Sequence, residues 1–401
     1  MNNEASLPLS GVRVLDLSRI LAGPWCGMVL ADMGAEVIKV EHPTRGDDTR
    51  DWGIKIGETE TAYYNCVNRN KRSITLDLKT AQGQQIARDL IKESDVVIQN
   101  FKFDDVTNMG LDYEQVSKDH PELIYCSVSG YDRKGPEASR PGYDVVIQGE
   151  AGLVAINGEA DQPPLKFGVA VADLFTGMYS AQAVLAALYE RNRTGHGQHV
   201  EMALYDCGLM LSSYYGLEAL RMGENPQRFG NVHPSIIPYG VYQAKDGQIS
   251  IAVGNNAQFK RFCLEVIDRP DLAEDERYTT NLSRRKHRET LSVEVNHEVA
   301  SRTRADLLER LSRVGIPAGE VLGLHEALTS KRTVEAGLIQ SMPHPKAGSV
   351  DVFAPPYRFK GERLPVRMAP PELGEANDDV LAQLLGLTEQ RIQELKTSGV
   401  I

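Results

Sequence analysis

Apolar positions in the first half of the chain recur in two alternating rhythms, and the alternation predicts the architecture. Short β-prone runs stand at residues 12–17, 36–40, 73–78, 95–98 and 123–128, and helical spacing runs from about 24 to 33 and from 81 to 92. This order predicts an α/β fold, a Rossmann-like large domain with a doubly wound, mostly parallel sheet. Ligands in such sheets lie beyond the carboxyl ends of strands. Attention therefore falls on residues 18–24, 100–102 and the surroundings of Asp173, three segments that could share one cleft.

Asp173 follows the apolar run 168–172 and precedes Phe175, Met178, Val184, Leu185 and Leu188, spaced as on one helix face until Thr194 and Gly195 stop the pattern. It reads as the N-cap of a long helix, where backbone N–H groups and the helix dipole favour an ionised carboxylate. Such a residue either only caps its helix or acts as an acceptor or nucleophile.

The texture changes after a helical pattern over residues 206–222. Gly223, Pro226, Gly230, Pro234 and Pro238 mark a linker, and a second unit follows. Lys245, Asp246 and Gly247 lie between two alternating runs and predict a hairpin. The run Arg284, Arg285, Lys286, His287, Arg288 reads as a solvated helix face rather than a polyanion site. Prolines between 343 and 371 predict extended chain, and residues 378–385 and 389–395 predict two short terminal helices.

Composition narrows the function. In the 401 residues, 44 basic side chains against 55 acidic ones give a net charge of −11. That balance opposes general affinity for nucleic acid or anionic membrane and leaves room for local basic pockets. Five widely spaced cysteines without a Cys-x-x-Cys indicate neither a disulfide framework nor a zinc site, so a reducing cytoplasm is expected. Residues 1–6 carry no leader pattern, and no stretch approaches the roughly 18 apolar residues of a spanning helix.

The usual catalytic motifs are missing. The first strand-to-helix turn has Gly23 followed by Pro24, where a dinucleotide site needs three spaced glycines. No phosphate loop, Gly-x-Ser-x-Gly elbow or His-Glu-x-x-His occurs. His196 and His199 stand in a turn and strand start without a carboxylate or cysteine cluster, which favours a structural reading over a metal site.

Four blocks in order, 11–41, 68–79, 95–101 and 193–200, carry a resemblance, together with the aspartate before its helix. The chain resembles the family III CoA-transferases, among them formyl-CoA transferase and carnitine CoA-transferase, over most of its length and most strongly before about residue 210. The resemblance implies that Asp173 is the nucleophile in transfer of coenzyme A from an acyl-CoA, such as succinyl-CoA, to a carboxylic acid. Aspartyl anhydride and aspartyl-CoA thioester intermediates are implied, with no metal and no prosthetic group. It implies CoA-binding roles for Leu21, Ala22, His42, Leu76, Lys79, Asn100, Phe101, Tyr143 and Asp144. A homodimer, interlaced in this family, is implied as well. So is a large domain built from residues 1–222 and a returning segment 330–401, with 223–329 as a small α+β domain.

Departures from formyl-CoA transferase are visible. His42 and Asn108 stand where that enzyme has arginines toward the CoA phosphates, so those contacts are weaker or supplied elsewhere. Residues 235–240 do not match its glycine-rich shielding loop, and oxalate specificity is not implied. Two rivals stay open: an acyl-CoA racemase or epimerase of the same fold, and a non-catalytic acyl-CoA-binding subunit. Against the racemase, Tyr143 occupies the place of its histidine base, and a phenol with a pKa near ~10 is a poor base at neutral pH.

Overall fold

The computed structural model describes residues 7–56 and 60–401; residues 1–6, read above for a leader, lie outside it. The elements begin β1 (Arg13–Asp16), α1 (Ala22–Asp32), β2 (Glu36–Glu41), α2 (Ala62–Asn68), β3 (Lys71–Thr75), α3 (Ala81–Lys92) and β4 (Val96–Gln99). They continue with α4 (Phe103–Asn108), α5 (Tyr113–Val116), β5 (Ile124–Ser129), α6 (Asp144–Glu150), α7 (Val171–Thr194) and β6 (His199–Ala203). The six strands form one sheet in the order β3-β2-β1-β4-β5-β6, with every neighbouring pair parallel. This is the doubly wound order, and it reverses between β1 and β4.

Each strand feeds two cores because successive side chains point to opposite faces. Leu15, Ile38, Val97 and Tyr125 pack on one side with α3 and with Val380, Leu381, Ile392 and Leu395 of the C-terminal segment. Val14, Val37, Val96 and Cys126 pack on the other with α1 and α7. Full burial of each such Val, Leu or Ile contributes roughly 1.5–3 kcal/mol. The two helices predicted at the C-terminus are present at Asn377–Leu385 and Glu389–Thr397. Asn377 ties the first of them to β3, accepting the Thr75 N–H at 2.8 Å.

The chain divides into two compact units, residues 1–153, 166–223 and 331–401 forming one and residues 154–165 and 224–330 the other. The second unit has its own three-stranded antiparallel sheet, β7 (Tyr239–Ala244), β8 (Gly247–Ala252) and β9 (Ala318–Glu320). The hairpin predicted at Lys245 and Asp246 joins its first two strands, and its helices bury Phe262, Val295 and Leu307.

Four expectations need correction. The helix expected over 206–222 is two, α8 (Leu204–Leu211) and α9 (Ser213–Met222), interrupted where Ser213 adopts φ +51°. Arg284 is wholly buried rather than solvated, because its guanidinium donates to the carbonyls of Ile237 and Tyr278 and to Asn256. The apolar run 168–172, β-prone by composition, forms no strand: residues 168–170 are irregular and Val171 already opens α7. Among the described residues, α7 is the one helix long and apolar enough, by length and composition, to cross a membrane. Its small polar residues hide that from a run of apolar letters. Ala172, Gly177, Ala181, Val184 and Leu188 are buried within the first unit, as in a core helix.

Candidate active site

The site begins where the sheet order reverses, with the loops after β1 and β4 side by side. Asn100 joins them. Its Oδ1 accepts the Arg19 N–H at 2.9 Å and its Nδ2 donates to the Arg19 carbonyl at 2.8 Å. The next residue, Ile20, adopts φ +73°, a left-handed conformation unfavourable for a β-branched side chain. Its N–H is held by Asp47 at 3.2 Å, and Asp47 is fixed in turn by the buried Lys39 at 2.9 Å. Lys39 also donates to the Ser18 carbonyl at 3.0 Å, so the loop rests on an internal ion pair.

Two contiguous cavities open above this loop. One of about 370 Å³ is lined by Leu17, His42, Arg45, Leu76, Lys79 and Phe101, with Asn108, Asp77 and Asp105 also on its wall. The other, of about 210 Å³, is lined by Leu21, Ala22, Asn100, Tyr143 and Asp173. Arg19 and Phe101 border both. The structure thus brings together every residue for which the resemblance implied a role except Asp144, which does not line either cavity.

Close helix packing carries Asp173 to this place. A Cβ on Gly177 would lie 2.7 Å from the Ala22 carbonyl and 2.8 Å from Trp25, and a Cβ on Gly23 would lie 2.4 Å from Ser18. Glycine at both points lets α7 and the strand-end loop approach α1. Asp173 then stands beside the Leu21–Ala22 backbone.

Asp173 is not the N-cap. The helix starts at Val171 with Ala170 as cap, and Asp173 occupies the first turn. The expected favourable dipole is outweighed: burial, and next the charge of Asp144, push the Asp173 pKa up to about 7. Its carboxylate accepts no hydrogen bond from any described residue. Asp144 makes the contacts instead, its Oδ1 accepting the N–H of Ala172 at 2.8 Å and, more weakly, that of Asp173 at 3.4 Å. Its Oδ2 accepts Gln148 Nε2 at 2.6 Å.

At the other end, His42 sits below its ordinary pKa because of partial burial and then Arg45, with Lys79 adding to the effect. Arg45 and Lys79 are exposed and enter no ion pair with a described residue. The pair places positive charge at the mouth of the larger cavity on an otherwise acidic chain.

A model of the CoA-transferase family III matches residues 9–377. The chain belongs to the CoA-transferase family III. It is 42% identical to the succinate–glutarate CoA-transferase of Agrobacterium fabrum over 383 residues, covering 94% of this chain and 96% of that protein. It is 37% identical to the succinyl-CoA:glutarate CoA-transferase of Mus musculus, covering 98% and 90%. The crystal structure of a CAIB/BAIF family protein from Brucella suis superposes with a TM-score of 0.83 at 40% identity, covering 94% of this chain and all of that one. This CoA-transferase moves coenzyme A between an acyl-CoA and a carboxylate.

Sequence reasoning missed Arg45 and Tyr63 in this CoA-transferase, and reached Arg19 only as part of the loop 18–24. Arg45 was discoverable, since it lies in the loop after β2 at the carboxyl edge of the sheet. Tyr63 was not: it comes from α2, and its link to the site is the Asp173 charge, which after burial helps push its pKa up to about 12. His199 hydrogen-bonds Ser127 at 2.9 Å and stacks on Tyr113 at 4.8 Å, and no group of metal-ligating side chains occurs among the described residues.

Proposed function

We propose that Asp173 is the nucleophile of this CoA-transferase and that its substrates are short dicarboxylic acids and their CoA thioesters, with succinyl-CoA as donor. The observation that carries the reading is a carboxylate without hydrogen-bond donors among the described residues, lining a cavity that adjoins a second one bordered by the exposed cations Arg45 and Lys79. An Asp173 oxygen attacks the thioester carbonyl, the C–S bond breaks, and a mixed anhydride and CoA thiolate result. The thiolate attacks the aspartyl carbonyl, expelling the first acid and leaving an aspartyl-CoA thioester. The acceptor carboxylate attacks that thioester, freeing thiolate again, and thiolate attack on the acceptor carbonyl gives the new acyl-CoA and restores Asp173. One thioester is exchanged for another, so no redox step is needed.

Leu21 and Ala22 line the thioester end with Tyr143. Phe101 and Leu76 give apolar surface to pantetheine or adenine, and Lys79 with His42 faces the phosphates. Asn100 acts through the Arg19 backbone. The dicarboxylate reading rests on the succinate and glutarate activities of the Agrobacterium and mouse relatives. The assembly proposed is a cytoplasmic homodimer. It is supported by α9, none of whose residues is buried although Leu217 and Leu220 are apolar. The large domain proposed runs over 1–222 and 330–401, with 223–329 as the small domain, except that residues 154–165 cluster with the second unit.

The test is an acceptor screen with succinyl-CoA against C2 to C6 mono- and dicarboxylates, read by chromatography of the CoA products. New dicarboxyl-CoA in preference to monocarboxyl-CoA supports the reading. Exchange of the α-proton without CoA transfer would support the racemase instead.

A further inference from the structure

The first amides of α7 are all occupied before Asp173 can use them. A helix leaves its first N–H groups without internal partners, and a carboxylate in the first turn ordinarily takes one or two of them. Here the Val171 N–H goes to the Val169 carbonyl at 2.8 Å and the Leu174 N–H to Ala170 at 3.1 Å. The two between them, on Ala172 and Asp173, point to Asp144 on α6. The helix has no cap of its own, because Ala170 has no polar side chain. Asp144 does this from 28 residues away in sequence.

The anchoring behind Asp144 is itself buried. Gln148 is fully buried, donates to Asp144, and accepts the Phe167 N–H at 2.8 Å. It thereby joins α6 to the chain entering α7. Asp144 is therefore fixed on both oxygens, and it lines neither cavity.

We infer that Asp144 is a positioning residue: it takes the helix amides that would otherwise solvate Asp173, holds the first turn of α7 in place, and so keeps the nucleophile without donors and reactive. This rests on the reading of Asp173 as nucleophile, and it gives Asp144 a role other than the CoA contact implied by resemblance. A carboxylate stripped of hydrogen bonds is a stronger nucleophile than one bound to amides, because less solvation must be lost on the way to the anhydride. A side chain that accepted the amides without charge would hold the turn and lose the repulsion.

Other groups near Asp173 do not duplicate this. Tyr63 approaches from α2. Tyr143 and Arg140 belong to the segment before α6, Arg133 to the loop after β5, and Arg19 and Lys102 to the strand-end loops. Arg140 is held by Glu137 and Glu150, and Arg133 lies 3.8 Å from Glu201. Of these groups, Asp144 is the charge that adds to burial in raising the Asp173 pKa.

Two variants test the inference, with kcat and KM for succinyl-CoA measured from pH 5 to 9. Asp144→Ala removes both acceptor and charge, and kcat should fall on the order of tenfold or more while KM moves less than about twofold. Asp144→Asn keeps an acceptor for Ala172. Its kcat should stay well above that of the alanine variant, and the pH midpoint of kcat/KM should move down by about one unit as the like charge is lost. A rise in KM with kcat unchanged in either variant would overturn the inference and make Asp144 a CoA ligand. An unmoved pH midpoint in Asp144→Asn would overturn it as well. Mass spectrometry of the wild-type enzyme after acyl-CoA treatment separates the two levels. No adduct on Asp173 sinks both readings, whereas an adduct with unaffected Asp144 variants sinks only this one.

Discussion

Asn100 grips the backbone of Arg19 through both ends of its amide, at 2.9 and 2.8 Å, and so locks together the two loops at the point where the sheet order reverses. The same loop is held from below by Asp47 and Lys39. Residue 100 therefore shapes the cleft without having to touch its ligand.

Replacing Asn100 by alanine removes both bonds. Loss of two hydrogen bonds predicts destabilisation of about 1–3 kcal/mol, measurable as a lower urea midpoint at unchanged slope. It also predicts a kcat/KM reduced on the order of tenfold as the Arg19–Ile20 turn relaxes. Wild-type stability and turnover would contradict the locking role.

Arg45 and Lys79 place positive charge on the wall of the larger cavity, where partial burial and then Arg45 keep His42 below its ordinary pKa. Arg45→Ala should raise KM for an acyl-CoA about five- to tenfold, consistent with roughly 1–1.5 kcal/mol for a charged contact near water. The increase should shrink with added salt and be absent with an acyl-pantetheine that lacks the phosphates. An equal effect on acyl-pantetheine would refute a phosphate contact.

Burial makes Asp173 a cost to the fold at neutral pH. Its folded pKa, about 7, lies above the ordinary 3.8, so between those values the unfolded chain has released a proton that the folded one keeps. Stability therefore falls as pH rises from about 4 to 7 and is level above. Asp173→Asn should stabilise the enzyme little at pH 4 and by about 1–3 kcal/mol at pH 8, the partly exposed carboxylate reducing the full shift. A gain that is independent of pH would show that Asp173 is not the group responsible.

Lys71 and Asp16 form a fully buried pair at 2.9 Å beneath α1, with Lys71 also bonded to the Pro24 carbonyl and Asn68. Lys71→Met strands the Asp16 charge and should cost about 3–5 kcal/mol, and Asp16→Leu added to it should restore most of the loss. Failure of the double variant to recover would mean that the hydrogen bonds of Lys71, rather than the charge of Asp16, dominate.

Elements whose apolar residues follow a helix or strand period were legible in the sequence. The parallel strands, α1, α3, the hairpin at Lys245 and the Gly195 stop of α7 all follow from such patterns. Gly195 adopts φ +74° there, as a C-cap glycine does. Buried polar residues broke the reading, because hydrophobic periodicity gives no weight to Lys39, Lys71 or Arg284, each held by at least one partner distant in sequence: the Ser18 carbonyl, Asp16 and the Ile237 carbonyl respectively. β3 starts at Lys71, ahead of the apolar run that marked it, for this reason. The site was legible as a set of loops through strand-end logic: residues 19–22 of the 18–24 segment, residues 100–102 and Asp173 line one cavity. The capping of α7 by Asp144 was not legible, since a hydrogen bond across 28 residues leaves no local pattern.

Catalysis as proposed requires a covalent bond to Asp173. Enzyme mixed with succinyl-CoA in the absence of acceptor, quenched and digested, should yield the peptide containing Asp173 bearing CoA, and hydroxylamine should convert that residue to its hydroxamate. An unmodified Asp173 peptide from enzyme that still transfers CoA would contradict the account.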